Sequence, residues 1–159
     1  MPFTFVRPAD PRVLDGRPLL DVGTGDGQTL RALVENHGLV VGIDRSTILR
    51  PTVGADAVLL PFGGSVFATV LAADLFHHLD DAALTLTLEE LWRVLRPDGL
   101  VVAWWYAGEA TSAPDAPRYP RTIEPVRDAL TSAGFTNVRE LGLDVVLGGG
   151  PPTVGIVAS

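Results

Sequence analysis

The 159-residue chain contains no cysteine, and all 12 of its basic residues are arginine, so lysine is absent too. Without a thiol there is no disulfide, no cysteine nucleophile and no cysteine metal site. Without an ε-amine there is no lysine Schiff base. Positive charge is scarce overall: 12 Arg oppose 19 Asp and Glu, for a formal net charge of −7. Affinity for nucleic-acid phosphates comes from clustered cations, so this balance, with its scattered arginines, argues against a nucleic-acid surface. No apolar stretch approaches the roughly 20 residues needed to span a bilayer, and the start, MPFTFVRPADPR, has no secretory pattern. No membrane association and a cytoplasmic location are the expectations. A serine hydrolase is also unsupported, because Gly64-Ser65-Val66 lacks the second glycine of a nucleophile elbow.

What the chain does contain is alternation. Four prolines in residues 1–18 suggest an irregular N-terminal arm, and residues 19–159 then read as one domain. Apolar runs at 19–22, 39–43, 57–60, 66–73 and 100–106 suggest strands. Leu30, Leu33, Val34 and His37 share one helical face, as do Leu84, Leu88, Leu91 and Leu95, and Ile123, Val126, Leu130 and Ala133. Asp80-Asp81 can cap the second of these helices, while Gly38 and Gly134 are placed to end the first and third. Between Asp44 and Pro51 there is room for about one helical turn. At the end of the chain, VRELGLDVVL and TVGIVAS flank Gly148–Pro152 as an antiparallel hairpin. The fold class expected is α/β: a Rossmann-like, mostly parallel seven-stranded sheet with helices on both faces and that C-terminal hairpin.

The most informative segment is Leu19-Leu20-Asp21-Val22-Gly23-Thr24-Gly25-Asp26-Gly27, at the end of the first strand of this series. Alternate glycines let a backbone turn sharply and approach a ligand closely, and open parallel sheets bind ligands beyond the carboxyl ends of their strands. Asp44, about 20 residues on at the end of the next strand, can accept both hydrogen bonds from the vicinal hydroxyls of a ribose. That pairing alone also fits NAD. The glycine pattern departs from the dinucleotide G-x-G-x-x-G, however, because position 28 is Gln. Asp21, inside the strand end, suits the ammonium of an amino acid better than a pyrophosphate.

With these residues in view, the sequence resembles a class I S-adenosylmethionine-dependent methyltransferase of the small-molecule type that includes the ubiquinone and menaquinone methylases. The matching blocks run in order: LLDVGTGDG (19–27), VVGID (40–44), DAVLLPF (56–62), FATVLAADLFHHLDD (67–81), ELWRVLRPDG (90–99) and AGFTNV (133–138). The resemblance implies S-adenosyl-L-methionine as cofactor. It implies that Gly23, Thr24, Gly25 and Gly27 hold its methionine moiety and that Asp21 meets the amino group, directly or through water. Asp44 would take the ribose hydroxyls, Arg45 would lie beside the adenine, Asp56 and Ala57 would contact the adenine edge, and Ala73 would lie under the sulfonium. Departures are Ala68, where the family usually has Asp, Asp98 in the usual Pro-Gly-Gly turn, and an unusually short 44–56 segment.

Methyl transfer from a sulfonium needs positioning above all, and a base only if the acceptor must lose a proton. His77 and His78 are the catalytic candidates, with Asp74 on the same segment. Their alternative role is to shape a strand-to-helix connection. No metal is expected, since adjacent histidines point apart. Trp104 and Tyr106 would face one side and Trp105 the other, either stacking on an acceptor or filling the core. Trp92 is expected in the core. The expected partner is a small-molecule methyl acceptor, reached through an open site or one completed by a homodimer or another subunit. The alternative is a trimmed methyltransferase-fold binding module that has lost transfer, and a weaker one is an NAD-linked oxidoreductase.

Overall fold

The computed structural model describes residues 5–33, 38–46, 53–108, 118–147 and 153–159. Strand β1 is Phe5–Pro8, followed by a single 3-10 turn at Pro11–Leu14. The central sheet then builds from β2 (Leu19–Val22), β3 (Val40–Asp44), the two-residue β4 (Val53–Gly54), β5 (Phe67–Ala73) and β6 (Leu95–Tyr106). It is completed by β7 (Val138–Glu140) and β9 (Thr153–Ala158), while β8 (Leu143–Leu147) lies between these two in the chain. Helices α1 (Gln28–Leu33), α2 (Asp81–Val94) and α3 (Ile123–Ala133) supply the connections. Strand order is β4-β3-β2-β5-β6-β9-β7, with β9 antiparallel to both its neighbours and the remaining pairs parallel. This is the expected Rossmann-like sheet. Its order reverses beside β2, so the glycine segment after β2 emerges where such sheets bind ligands.

Alternation along each strand divides the core in two. Leu20, Val22, Val70, Ala72, Val101, Ala103 and Trp105 face α2 and α3, whereas Leu19, Leu71, Val102 and Trp104 face the opposite side with Val6, Leu14 and Leu30. Trp104 and Trp105 are therefore both core residues, on opposite faces, and neither stacks on a ligand. Trp92 goes the other way: it is 42% exposed and packs edge-on against Phe135 at 5.0 Å, between α2 and α3. The capping expectations hold at two helix ends. Asp80 accepts from Ala83 N–H at 2.8 Å, and Gly134 ends α3 with φ 122°. Val34 and His37 lie outside the described residues, as does most of the stretch expected to hold one helical turn before Pro51.

Three local expectations change. The supposed irregular arm contains β1, which pairs antiparallel with β8 as a separate two-stranded ribbon. Its proline-rich sequence hides this because the partner is more than a hundred residues away. For the same reason β9 does not pair with β8. The antiparallel hairpin partner of β9 is β7, and β8 leaves to meet β1. Finally, residues 57–60 are not a strand. Asp56 accepts from Val58 N–H at 3.2 Å and, through its carbonyl, from Leu59 N–H at 3.1 Å, making a local turn that competes with sheet pairing. The edge strand forms instead at Val53–Gly54. Glu90 and Arg93 on α2 hold the chain beyond that turn: Glu90 accepts from Leu60 N–H at 2.7 Å, and Arg93 donates to the carbonyls of Phe62 and Leu60.

Candidate functional site

The glycine loop is fastened to the end of β3. Gly23 and Thr24 N–H both donate to Ile43 carbonyl at 2.9 Å, and Gly25 N–H donates to Asp44 Oδ2 at 3.0 Å. Gly23, Gly25 and Gly27 have φ of 75°, 56° and 77°, left-handed values that a side chain would strain. Beneath them Gly42 leaves room for Thr24: a Cβ there would lie 2.9 Å from the Thr24 hydroxyl oxygen. Sequence reasoning passed over Gly42, whose role follows only from how β3 underlies the loop.

Asp44 is half-buried at the same strand end. Its other oxygen accepts from Ser46 N–H at 2.8 Å, which leaves one lone pair on each oxygen for a ligand. Arg45 and Asp56 approach at 3.9 Å, an exposed and weak pair. Asp21 is buried, 2% exposed. Desolvation pushes its pKa up to about 6, a hydrogen bond from the Thr24 side chain opposes this, and the charge of Asp44 adds to it.

A cavity of about 910 Å³ opens over these strand ends. Gly23, Thr24, Gly25, Asp44, Arg45, Asp56, Ala57, Ala73 and His78 all line it, so the structure gathers most of the expected site residues on one wall system. Asp21 and Gly27 are not on its surface. Asp21 sits behind Thr24, and Gly27 makes the turn into α1, its N–H donating to Thr24 carbonyl at 2.8 Å. The histidine pair is split as well. His78 lines the cavity; its pKa is lowered by desolvation and then by the charge of Arg118. His77 is 5% exposed and turned away. Its Nδ1 accepts from Tyr106 N–H at 3.2 Å, and burial pushes its pKa down to about 3, helped by His78, Arg118 and Arg121. The buried ring thereby ties β6 to the 76–78 turn.

The structure brings Asp74, named beside the histidines in the sequence, together with apolar residues that the sequence did not single out. Asp74, Leu75, Leu79, Ala83 and Leu86 form the wall nearest α2. The start of α2 is held by buried Arg121, which donates to Phe76 carbonyl at 2.7 Å and to Asp81 at 2.8 Å. Among the described residues lining the cavity, four carboxylates (Asp26, Asp44, Asp56 and Asp74) face one guanidinium, Arg45. Such a site favours a cationic ligand over an anionic one. No group of three or more His, Asp or Glu among the described residues is arranged to hold a metal.

The family model for the methyltransferase domain matches residues 20–103, from β2 to β6, more than half of the chain. The chain belongs to the methyltransferase domain family. It has the class I S-adenosylmethionine-dependent architecture, and the cofactor of that family is S-adenosylmethionine. A curated relative, an uncharacterized protein of Methanocaldococcus jannaschii, is 32% identical over 95 residues, covering 57% of this chain. The chain spans only 37% of that relative's length. An S-adenosylmethionine-dependent methyltransferase from Archaeoglobus fulgidus superposes with a TM-score of 0.70 at 16% identity, over 88% of this chain and 84% of that one. The 1,6-didemethyltoxoflavin-N1-methyltransferase of Burkholderia thailandensis, solved with its acceptor and S-adenosylhomocysteine bound, gives 0.69 at 18% identity, over 88% and 69%. At these identities the structural likeness establishes the fold. Among the described residues no helix is long and apolar enough to cross a membrane.

Proposed function

We propose that this protein transfers the methyl group of S-adenosylmethionine to a small-molecule acceptor. The observation that carries the reading is the charge of the cavity together with its backbone cradle. S-adenosylmethionine has a sulfonium and an ammonium against one carboxylate, and the walls offer four carboxylates against one arginine. The pyrophosphate of NAD would meet the wrong sign. Gly23, Thr24 and Gly25 hold the methionine moiety, with Gly27 completing the turn and Asp21 drawing the ammonium from behind Thr24. Asp44 binds the ribose hydroxyls with its two remaining lone pairs. Arg45, Asp56 and Ala57 border the adenine, and Ala73 lies under the sulfonium.

When bound, the sulfonium supplies an electrophilic methyl group and a neutral thioether as leaving group. The chain's own contribution is orientation: the glycine loop and Asp44 fix one reactant, and the apolar wall of Leu75, Leu79, Ala83 and Leu86 excludes water from the other. His78, rather than His77, is the histidine placed to touch the acceptor. The acceptor is a small molecule, as in the Burkholderia thailandensis enzyme, and a second subunit can complete its enclosure.

Side-by-side calorimetric titration with S-adenosylhomocysteine and NADH tests this reading. Binding of the first alone is expected; binding of NADH alone, or of neither by folded protein, refutes it. S-adenosylhomocysteine bound with no turnover across a broad acceptor panel would instead favour the binding-module alternative.

A further inference from the structure

Asp74 follows β5 at the carboxyl edge of the sheet with φ 56°, a left-handed conformation uncommon outside glycine. Its backbone is pinned there, its N–H donating to the carbonyl of buried Trp104 at 2.9 Å. The bend puts the residue on the cavity wall immediately after Ala73, in the same cavity that His78 lines. Among the described residues its carboxylate receives no hydrogen bond. Nearby in the chain His77 Nδ1 is taken by Tyr106 N–H, and the charge that acts on Asp74 is that of Arg118. The Arg118 guanidinium sits over the Tyr106 ring, 5.6 Å from its centroid.

The wall beyond Asp74 is apolar, made by Leu75, Leu79, Ala83 and Leu86. A molecule seated against it therefore meets its polar partners in Asp74 and His78. An ionised carboxylate only accepts hydrogen bonds, so the group facing it must be a donor. The two differ as proton acceptors. Desolvation raises the Asp74 pKa above the usual carboxylate value, with Arg118 holding it back, whereas desolvation and Arg118 both make His78 a weaker base.

We infer that Asp74 is a catalytic residue that contacts the nucleophilic N–H or O–H of the methyl acceptor and takes its proton, so that the acceptor is an amine or hydroxyl compound rather than a carbon nucleophile. The inference rests on the methyltransferase reading above. In the step, the acceptor's nitrogen or oxygen lone pair forms the new bond to the methyl carbon as the carbon–sulfur bond breaks. That bonding pair stays on sulfur, giving a neutral thioether. The proton leaves nitrogen or oxygen for the Asp74 carboxylate and passes from there to solvent.

Sinefungin, in which a carbon bearing an ammonium replaces the methylated sulfonium, presents an N–H donor at the transfer point; S-adenosylhomocysteine presents none. Competition calorimetry of the two is the test. Wild type is expected to bind sinefungin about tenfold more tightly, the worth of one charge-assisted hydrogen bond at a partly solvated site. Asp74→Asn is expected to erase that preference and keep affinity for S-adenosylhomocysteine, since Asn also tolerates the left-handed backbone. His78→Asn should retain the preference. Equal affinities in wild type overturn the inference. So does a preference that survives Asp74→Asn, or one that disappears with His78→Asn. Loss of S-adenosylhomocysteine binding in folded Asp74→Asn also overturns it, because Asp74 would then serve the cofactor pocket. Failure of wild type to bind either ligand refutes the methyltransferase reading itself.

Discussion

Asp21 carries a cost that can be measured. It shares a face of β2 with Leu19, is 2% exposed, and has one side-chain donor, Thr24. Raising its pKa from 3.8 to about 6 corresponds to about 3 kcal/mol against the ionised form at neutral pH. A carboxyl whose folded pKa is raised contributes stability that is fully present below its unfolded pKa and lost as pH rises through its folded one. The window is therefore from 3.8 to about 6. Asp21→Asn keeps the shape and has no charge to bury, so it escapes this loss. The stability of Asp21→Asn relative to wild type should rise by most of that about 3 kcal/mol between about pH 4 and about pH 7. The difference is the quantity to follow, because His77 acts in the opposite sense: its pKa is depressed from 6.5 to about 3, so it loses stability as pH falls through that range. His77 is present in both proteins and cancels. Urea unfolding followed by tryptophan fluorescence at several pH values supplies the numbers, and a difference that stays flat across the range would refute the reasoning. The same variant should bind S-adenosylhomocysteine about tenfold more weakly, the trade expected when a buried charge is kept for a ligand.

Other perturbations address the scaffold of the site. Gly42→Ala places a Cβ 2.9 Å from the Thr24 hydroxyl oxygen; it should cost roughly 1–3 kcal/mol and weaken S-adenosylhomocysteine binding in the same titration, whereas unchanged affinity would mean the loop relaxes freely. Arg121→Ala removes the donor to Phe76 carbonyl in a buried setting and should lower stability by roughly 1–3 kcal/mol in chemical denaturation; the exposed Asp81 contributes little of this. His77→Phe keeps a buried ring but frees Tyr106 N–H. Its stability should fall less than that of wild type as pH drops from about 6.5 toward about 4, and equal acid sensitivity of the two proteins would contradict a neutral, buried His77.

The family relationship and most of the sheet are legible along the chain because they depend on local signals. Apolar runs ended by glycine or aspartate mark β2, β3, β5 and β6, and a 3.6-residue repeat with Asp80 and Gly134 at its boundaries marks α2 and α3. The glycine loop and Asp44 are equally local, a short segment and a strand end at a readable distance. The absent cysteine and lysine are consistent with the chemistry proposed, which asks the enzyme for neither thiol nor amine. What tertiary structure decided are the relations between distant segments. The β1–β8 ribbon joins segments more than a hundred residues apart, and no pattern in Phe5–Pro8 names its partner. His77 and His78 are indistinguishable as letters; burial and the Tyr106 hydrogen bond make one a strut and leave the other at the cavity. Trp92, expected in the core, is partly exposed, and of the two roles open to Trp105 the core is the one realised, because exposure depends on which helix lies above each. Asp74 reaches the cavity only because a left-handed bend after β5 turns it there, and the acidic balance of the whole chain becomes a local property only where four strand-end and loop carboxylates meet around one space. Local propensity reads one segment at a time, whereas burial and electrostatic surroundings are sums over everything the fold brings near.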